Sequence, residues 1–199
     1  MYLNENLFLE FLLDKEITWA GIDFSLAKFT KDGFDFSNEV IHRYFNEWNL
    51  LIISDQKKYD IRMAFRKPVM HYNLSCVTKK NKTVKASSSL VDNIKLENQY
   101  TESSIIQYAE KQEFPPQANF SLTFVVESFD QNSKTASVWV ILSQASSREV
   151  VLCEKFLETP NGFGTRNYWA RTFYNILFDI KKKSFLRWVN LVKPDNLIK

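Results

Sequence analysis

A chain of 199 residues with 45% hydrophobic and 25% charged residues is long enough to bury a substantial core and reads as one domain, residues 1–199, not as a disordered or fibrous polymer. A formal net charge of only +3 argues against wholesale nucleic-acid binding, and no apolar run reaches the about 18 residues of a membrane span. Seventeen phenylalanines against four glycines imply an aromatic core and few tight turns.

The first sixteen residues lack a basic leading region, and Glu5 and Glu10 flank or interrupt their short apolar run. They read as a local helix packing Leu7, Phe8, Phe11 and Leu12 rather than as an export signal. Ile17 to Phe24, rich in β-branched and aromatic residues, predicts the first strand. Asp23 stands near its C-terminal end, where binding sites of α/β sheets often lie; the commoner role for such an aspartate is to cap the following turn. Lys31-Asp32-Gly33 predicts a turn. Ser37 then caps a helix whose apolar positions are Val40, Ile41, Tyr44, Phe45, Trp48, Leu51 and Ile52, with His42 beside the stripe. Residues 57–67 predict a second helix ended by Pro68.

Met70, Tyr72, Leu74 and Cys76 alternate, predicting a strand over 70–78 with His71 on its opposite face. Residues 79–100 begin with a run of lysines and serines that offers little to bury, so this segment reads as a flexible loop. A short helix follows over 101–112, begun by Thr101 or Glu102 and stopped before Pro115-Pro116. Phe120, Leu122, Phe124 and Val126 alternate, and Val138, Val140 and Leu142 alternate against Trp139 and Ile141. With Val150 to Leu157 these runs predict a three-stranded meander whose middle strand is buried on both faces.

Asn161-Gly162-Phe163-Gly164 predicts a turn that uses positive φ at glycine. Thr165 is the expected N-cap of a long C-terminal helix with Trp169, Phe173, Ile176, Leu177 and Ile180 on one face. Lys181, Lys182 and Lys183 suit the end of its first segment. The fold class expected is therefore α+β: a mainly antiparallel sheet with a C-terminal meander, packed by the long C-terminal helix and an N-terminal helix pair.

A glycine turn opening a helix can hold an anion, because unpaired amides and the helix dipole both favour negative charge there. The candidate ligand-binding set is Gly162, Gly164, Arg166, Asn167 and Arg171, with Asp23 as a sixth member and His42 as a conceivable base. The turn lacks the third glycine of a dinucleotide fingerprint, and no phosphate loop exists in the chain. No catalytic residue, metal ligand set or cofactor motif is assigned. Cys76 and Cys153, each in a segment read as a strand, are either free thiols or one disulfide.

Trp19-Ala20-Gly21-Ile22-Asp23-Phe24-Ser25, Tyr44-Phe45-Asn46-Glu47-Trp48-Asn49 and the run from Gly162 to Ala170, reading GFGTRNYWA, resemble a family of uncharacterised bacterial proteins, many of them exported. The expected order of elements is more distantly similar to lipoprotein assembly factors of the curli-secretion and penicillin-binding-protein-activator type. These resemblances imply a non-enzymatic binding or assembly module of the bacterial cell envelope with a protein partner. Periplasmic or envelope placement comes from the resemblance alone, with the cytoplasm as the alternative. The competing functional expectation is an enzyme or receptor for a small anionic ligand at residues 161–166; a nucleic-acid partner ranks last.

Overall fold

In the computed structural model the described residues are 1–31, 37–94, 99–113 and 117–192. Strand β1 (Tyr2–Leu3) leads into helix α1 (Glu5–Leu13), and the chain then enters β2 (Glu16–Asp23) and β3 (Lys28–Thr30). Helices α2 (Asn38–Ser54) and α3 (Ile61–Phe65) precede β4 (Val69–Tyr72), α4 (Ser75–Asn81), α5 (Ala86–Ser89) and β5 (Leu90–Val91). After α6 (Glu102–Glu110) come β6 (Phe120–Asp130), β7 (Thr135–Gln144) and β8 (Val150–Glu158), then α7 (Thr165–Asp179), a π-helical turn (Ile180–Ser184) and α8 (Phe185–Val192).

All eight strands join one mixed sheet in the order β1-β8-β7-β6-β2-β4, with β3 pairing both β6 and β5. The long β6–β7 and β7–β8 ladders are antiparallel and form the expected meander. The N-terminal strands join it in parallel: β2 beside β6 and β4, and β3 beside β6 and β5. Parallel strands need crossovers, and α2, α3, α4 and α6 lie within those connections.

The larger core lies between one sheet face and α1, α2, α3, α7 and α8. Two register shifts keep the apolar side chains aimed at it. In β2 the shift between Trp19 and Gly21 lets Ile17, Trp19, Ile22 and Phe24 all enter that core. In β6 the shift between Val126 and Ser128 does the same for Phe129 after Phe120, Leu122, Phe124 and Val126. The core is aromatic, as the composition implied. Phe24 stacks on Phe45 at 4.2 Å and 4°, and Phe129 stacks on Trp169 at 4.5 Å and 3°, tying the sheet to α2 and α7. On the opposite face α6 covers a smaller cluster of Ile105, Ala109, Val125, Trp139, Ile141, Val150 and Cys153.

Several local expectations change. Only Val69–Tyr72 is a strand; Asn73 accepts from the amide and hydroxyl of Ser75 and turns the chain into α4, so Cys76 is helical. Segment 79–100 holds the end of α4, α5 and β5 where a loop was expected, and residues 95–98 lie outside the described residues. The second N-terminal helix is short, closing on Arg66 in the left-handed region at φ 53. Gly164, not Thr165, occupies the N-cap of α7, and no side chain caps that end. The first segment of the C-terminal helix does end at Asp179, beside the lysine run, which forms the π turn that carries the chain on into α8. Of the turn expected at 31–33, Asp32 and Gly33 lie outside the described residues. Both cysteines are free thiols, and burial pushes Cys153 up to about 12.

Candidate functional site: a basic cleft beside a buried aspartate

The site begins at Gly21. Its φ is 109°, and a Cβ there would stand 2.6 Å from Val77 Cγ2, 2.7 Å from Asn49 Oδ1 and 2.8 Å from Leu74 Cδ2. Glycine therefore lets α2 and α4 close onto β2 at the bulge. Beyond Trp19 the outer edge of β2 has no strand partner among the described residues, because the pairing with β4 ends at Tyr72. Two buried asparagines take over the ladder. Asn49 accepts from the Ile22 amide at 2.7 Å and donates to the Ile22 carbonyl at 3.0 Å. Asn81 accepts from the Phe24 amide at 2.8 Å and donates to the same carbonyl at 2.9 Å. These side chains satisfy backbone groups that would otherwise be buried and unpaired.

This arrangement carries α4 past the end of β2, where Asp23 is completely buried. Its carboxylate accepts from the Ser25 amide at 2.8 Å, the Ser25 hydroxyl at 2.6 Å and the Tyr108 hydroxyl at 2.6 Å. Lys80 Nζ lies 3.4 Å from Asp23 Oδ2 and donates to the Tyr108 oxygen at 3.0 Å, above the Tyr108 ring. Burial, then the Asp23 charge, holds the Tyr108 phenol well above its usual range. Tyr108 therefore serves as a donor to Asp23, not as a phenolate base.

Lys80 links this buried network to an open cleft of about 960 Å³. Lys79, Lys80 and Thr83 line it from α4 and the turn after it, Lys111 from the end of α6, and Ser146 and Arg148 from the β7–β8 turn. Arg148 lies 3.3 Å from Glu113, the carboxylate in the lining. Cys76 also reaches the cleft, but desolvation raises its thiol despite the opposing charge of Lys80. The Cys76 thiol is therefore kept protonated, the weakly nucleophilic form.

The sequence-selected residues fall into separate places. Gly162 (φ 131) packs against the Asn167 backbone, and Gly164 (φ 78) opens α7, so these residues share one turn with Arg166. Arg166 lies 3.5 Å from Glu47, and its carbonyl accepts from Trp48 Nε1 at 2.8 Å. Arg171 turns along α7 instead, donating to Asn175 at 3.1 Å and lying 4.3 Å above the Tyr174 ring. Asp23 meets Ser25, Lys80 and Tyr108, none of them from the 161–166 turn. His42 contacts the Val84 carbonyl at 2.7 Å and lines a separate cavity of about 110 Å³ with Asn49 and Asn81.

Of the basic cleft residues, Lys79 and Lys80 were hidden by the loop reading of 79–100, and Lys111 and Arg148 join them only through the tertiary fold. A signal existed in Leu74, Val77, Asn81 and Val84, whose spacing is helical. Among the described residues no group of three metal-ligating side chains comes together, and no helix is long and apolar enough to cross a membrane.

No protein-family model matches the chain, and no curated protein matches it. Among solved structures, the LpoB C-terminal domain from Salmonella enterica (selenomethionine form) is similar at 11% identity and a TM-score of 0.26, covering 78% of this chain and 94% of that one.

Proposed function

We infer that this chain is a non-enzymatic binding or assembly module of the bacterial cell envelope, and that it engages an acidic segment of a protein partner in the basic cleft. The observation carrying this reading is the placement of Lys79, Lys80, Lys111 and Arg148 around one open concavity, with Lys80 fixed by the buried Asp23. One sheet built from strands between Tyr2 and Glu158, with α7 and α8 packed on its larger core, supports treating residues 1–199 as a single domain. The envelope context rests only on the resemblance of the Trp19–Ser25, Tyr44–Asn49 and Gly162–Ala170 runs to a family of uncharacterised bacterial proteins, many of them exported.

The test is fluorescence anisotropy with a labelled oligoglutamate peptide. Binding should weaken steeply as salt rises from low to physiological strength, since exposed charges are screened. It should fall about tenfold or more in Lys79→Ala/Arg148→Ala, with one strong charge-assisted contact corresponding to roughly that factor. Equal binding by wild type and this variant would discard the cleft as the partner site.

A second reading places a small anion at residues 161–166, in an enzyme or receptor. It draws on Gly164 beginning the fifteen-residue α7 without a side-chain cap, with Arg166 partly exposed beside it. Phosphate binding lost in Arg166→Ala and retained both in the cleft variant and in Lys181→Gln/Lys182→Gln would move the function to that turn.

A further inference from the structure

A second basic concavity, of about 290 Å³, lies between the turn before α3 and the face of α7 and the π turn. Lys57, Lys58 and Asp60 line it from the first side; Tyr174, Leu177, Phe178, Lys181 and Lys182 line it from the second. Asp60 is engaged as the N-cap of α3, accepting from the Met63 amide at 3.1 Å. None of Lys57, Lys58, Lys181, Lys182 or Lys183 forms an ion pair among the described residues, in contrast with Lys31, Lys80 and Lys155, which have carboxylate partners. The groove thus gathers four ammonium groups outside any ion pair, against one lining carboxylate, Asp60.

Its floor is aromatic. Along α7 the Arg171 guanidinium lies 4.3 Å above Tyr174, Tyr174 stacks on Phe178 at 6.1 Å and 17°, and Lys182 Nζ lies 5.8 Å from the Phe178 centroid. Tyr59 meets Tyr174 edge-on from the α3 side. Phe178 remains half exposed. The π turn presents all three consecutive lysines to solvent while Ile180 and Ser184 stay buried, with Ser184 Oγ donating to Asp179 at 2.5 Å. Single π turns inside α-helices recur at functional positions.

We propose that this groove binds a phosphoryl group carried on an apolar or aromatic body, with Lys57, Lys58, Lys181 and Lys182 on the phosphate and Phe178 against the body. Four ammonium groups around a cavity too small for a folded partner suit a compact dianion. The exposed ring adds apolar contact that inorganic phosphate does not use.

Calorimetric titration of the full chain with phenyl phosphate and with inorganic phosphate tests this. Phenyl phosphate should bind more tightly, and Phe178→Ala should remove that difference while leaving inorganic phosphate binding unchanged. Lys181→Gln/Lys182→Gln should weaken phenyl phosphate about tenfold, the loss expected for a charge-assisted contact, with its thermal unfolding unchanged because both side chains are exposed. Co-sedimentation with phosphatidic acid vesicles, whose headgroup is a phosphate monoester, against phosphatidylcholine vesicles separates the sources. Capture by the first alone, lost in the lysine variant, assigns the phosphate to a lipid headgroup; binding in solution alone assigns a free phosphate compound. No binding in either arm, or binding insensitive to both variants, overturns the proposal. Lys79→Ala/Arg148→Ala serves as the control, since damage to the larger cleft should leave this groove's binding intact.

Discussion

Three residues hold their places through backbone or burial constraints that a substitution would expose. At Gly21 an added methyl meets side chains from both α2 and α4 at under 3.0 Å and must adopt φ 109. Gly21→Ala should therefore cost about 3 kcal/mol or more, combining strain with overpacking. Gly164 also has positive φ, but a Cβ there meets nothing within 4 Å. Gly164→Val should lose only the strain component, roughly 1–3 kcal/mol; urea unfolding of the two variants would order them, and an unchanged Gly164→Val midpoint would remove the turn assignment. Lys67 poses a different problem. It is buried, donates to the Phe11 and Asp14 carbonyls and lies 3.8 Å from the Phe11 ring centroid, and desolvation lowers it from 10.5 to about 8. Between those values the unfolded chain binds more protons than the folded one, so this group's contribution to stability rises with pH. The stability of wild type relative to Lys67→Met should accordingly increase by on the order of 1–3 kcal/mol from pH 7.5 to pH 10.5. A flat difference would mean that Lys67 has no lowered value in the fold.

Elements whose identity depends on local chemistry were legible in the sequence. Ser37 and Thr101 cap α2 and α6 through Val40 and Ser104, and the alternation in residues 120–157 produced the meander. What was not legible depends on distant partners. Alternation through Met70, Tyr72, Leu74 and Cys76 imitates a strand, yet Leu74 and Val77 instead close on Gly21 from α4. The parallel pairing of β2 with β6 joins segments about a hundred residues apart, and no periodicity within either strand encodes it. The basic cleft went unseen for the same reason, being assembled from α4, the end of α6 and the β7–β8 turn. The 161–166 turn, in contrast, was visible because its glycines are local signals. At this scale the aromatic stacks also predict which contacts couple layers. Phe129 stacks on Trp169 and meets Phe24, Phe29, Trp48 and Phe173. Phe129→Ala should cost about 3–5 kcal/mol, as for large aromatic truncations in packed cores. Thermal unfolding should show one lowered transition, because the sheet, α2 and α7 lose the same partner.

The two ends of the described chain meet across the whole molecule. β1 pairs with β8 through Tyr2–Cys153 and Leu3–Leu152, and the Asn4 amide continues that contact to the Val151 carbonyl. This places α1 against α8: Phe8 lies 6.4 Å from Phe185 and 6.5 Å from Trp188, while Phe11 meets Phe120 edge-on at 5.3 Å. Trp188 is fully buried, packed also against Phe65, with its Nε1 donating to Glu154 at 2.6 Å. Removing residues 1–13 would uncover Phe120, Phe185 and Trp188 together and leave the outer edge of β8 open along its length. That combination loses burial of several large apolar side chains, each worth about 1.5–3 kcal/mol, against a total stability of roughly 5–15 kcal/mol. The truncated chain should therefore fail to unfold cooperatively, and tryptophan emission, to which Trp188 contributes with four others, should shift to the red in buffer alone. Phe8→Ala separates packing from strand pairing, because it retains β1. It should lower stability by about 3–5 kcal/mol while preserving a single transition. A truncated chain with wild-type emission and an unchanged unfolding midpoint would show that the α1–α8 contact contributes nothing to holding the fold closed.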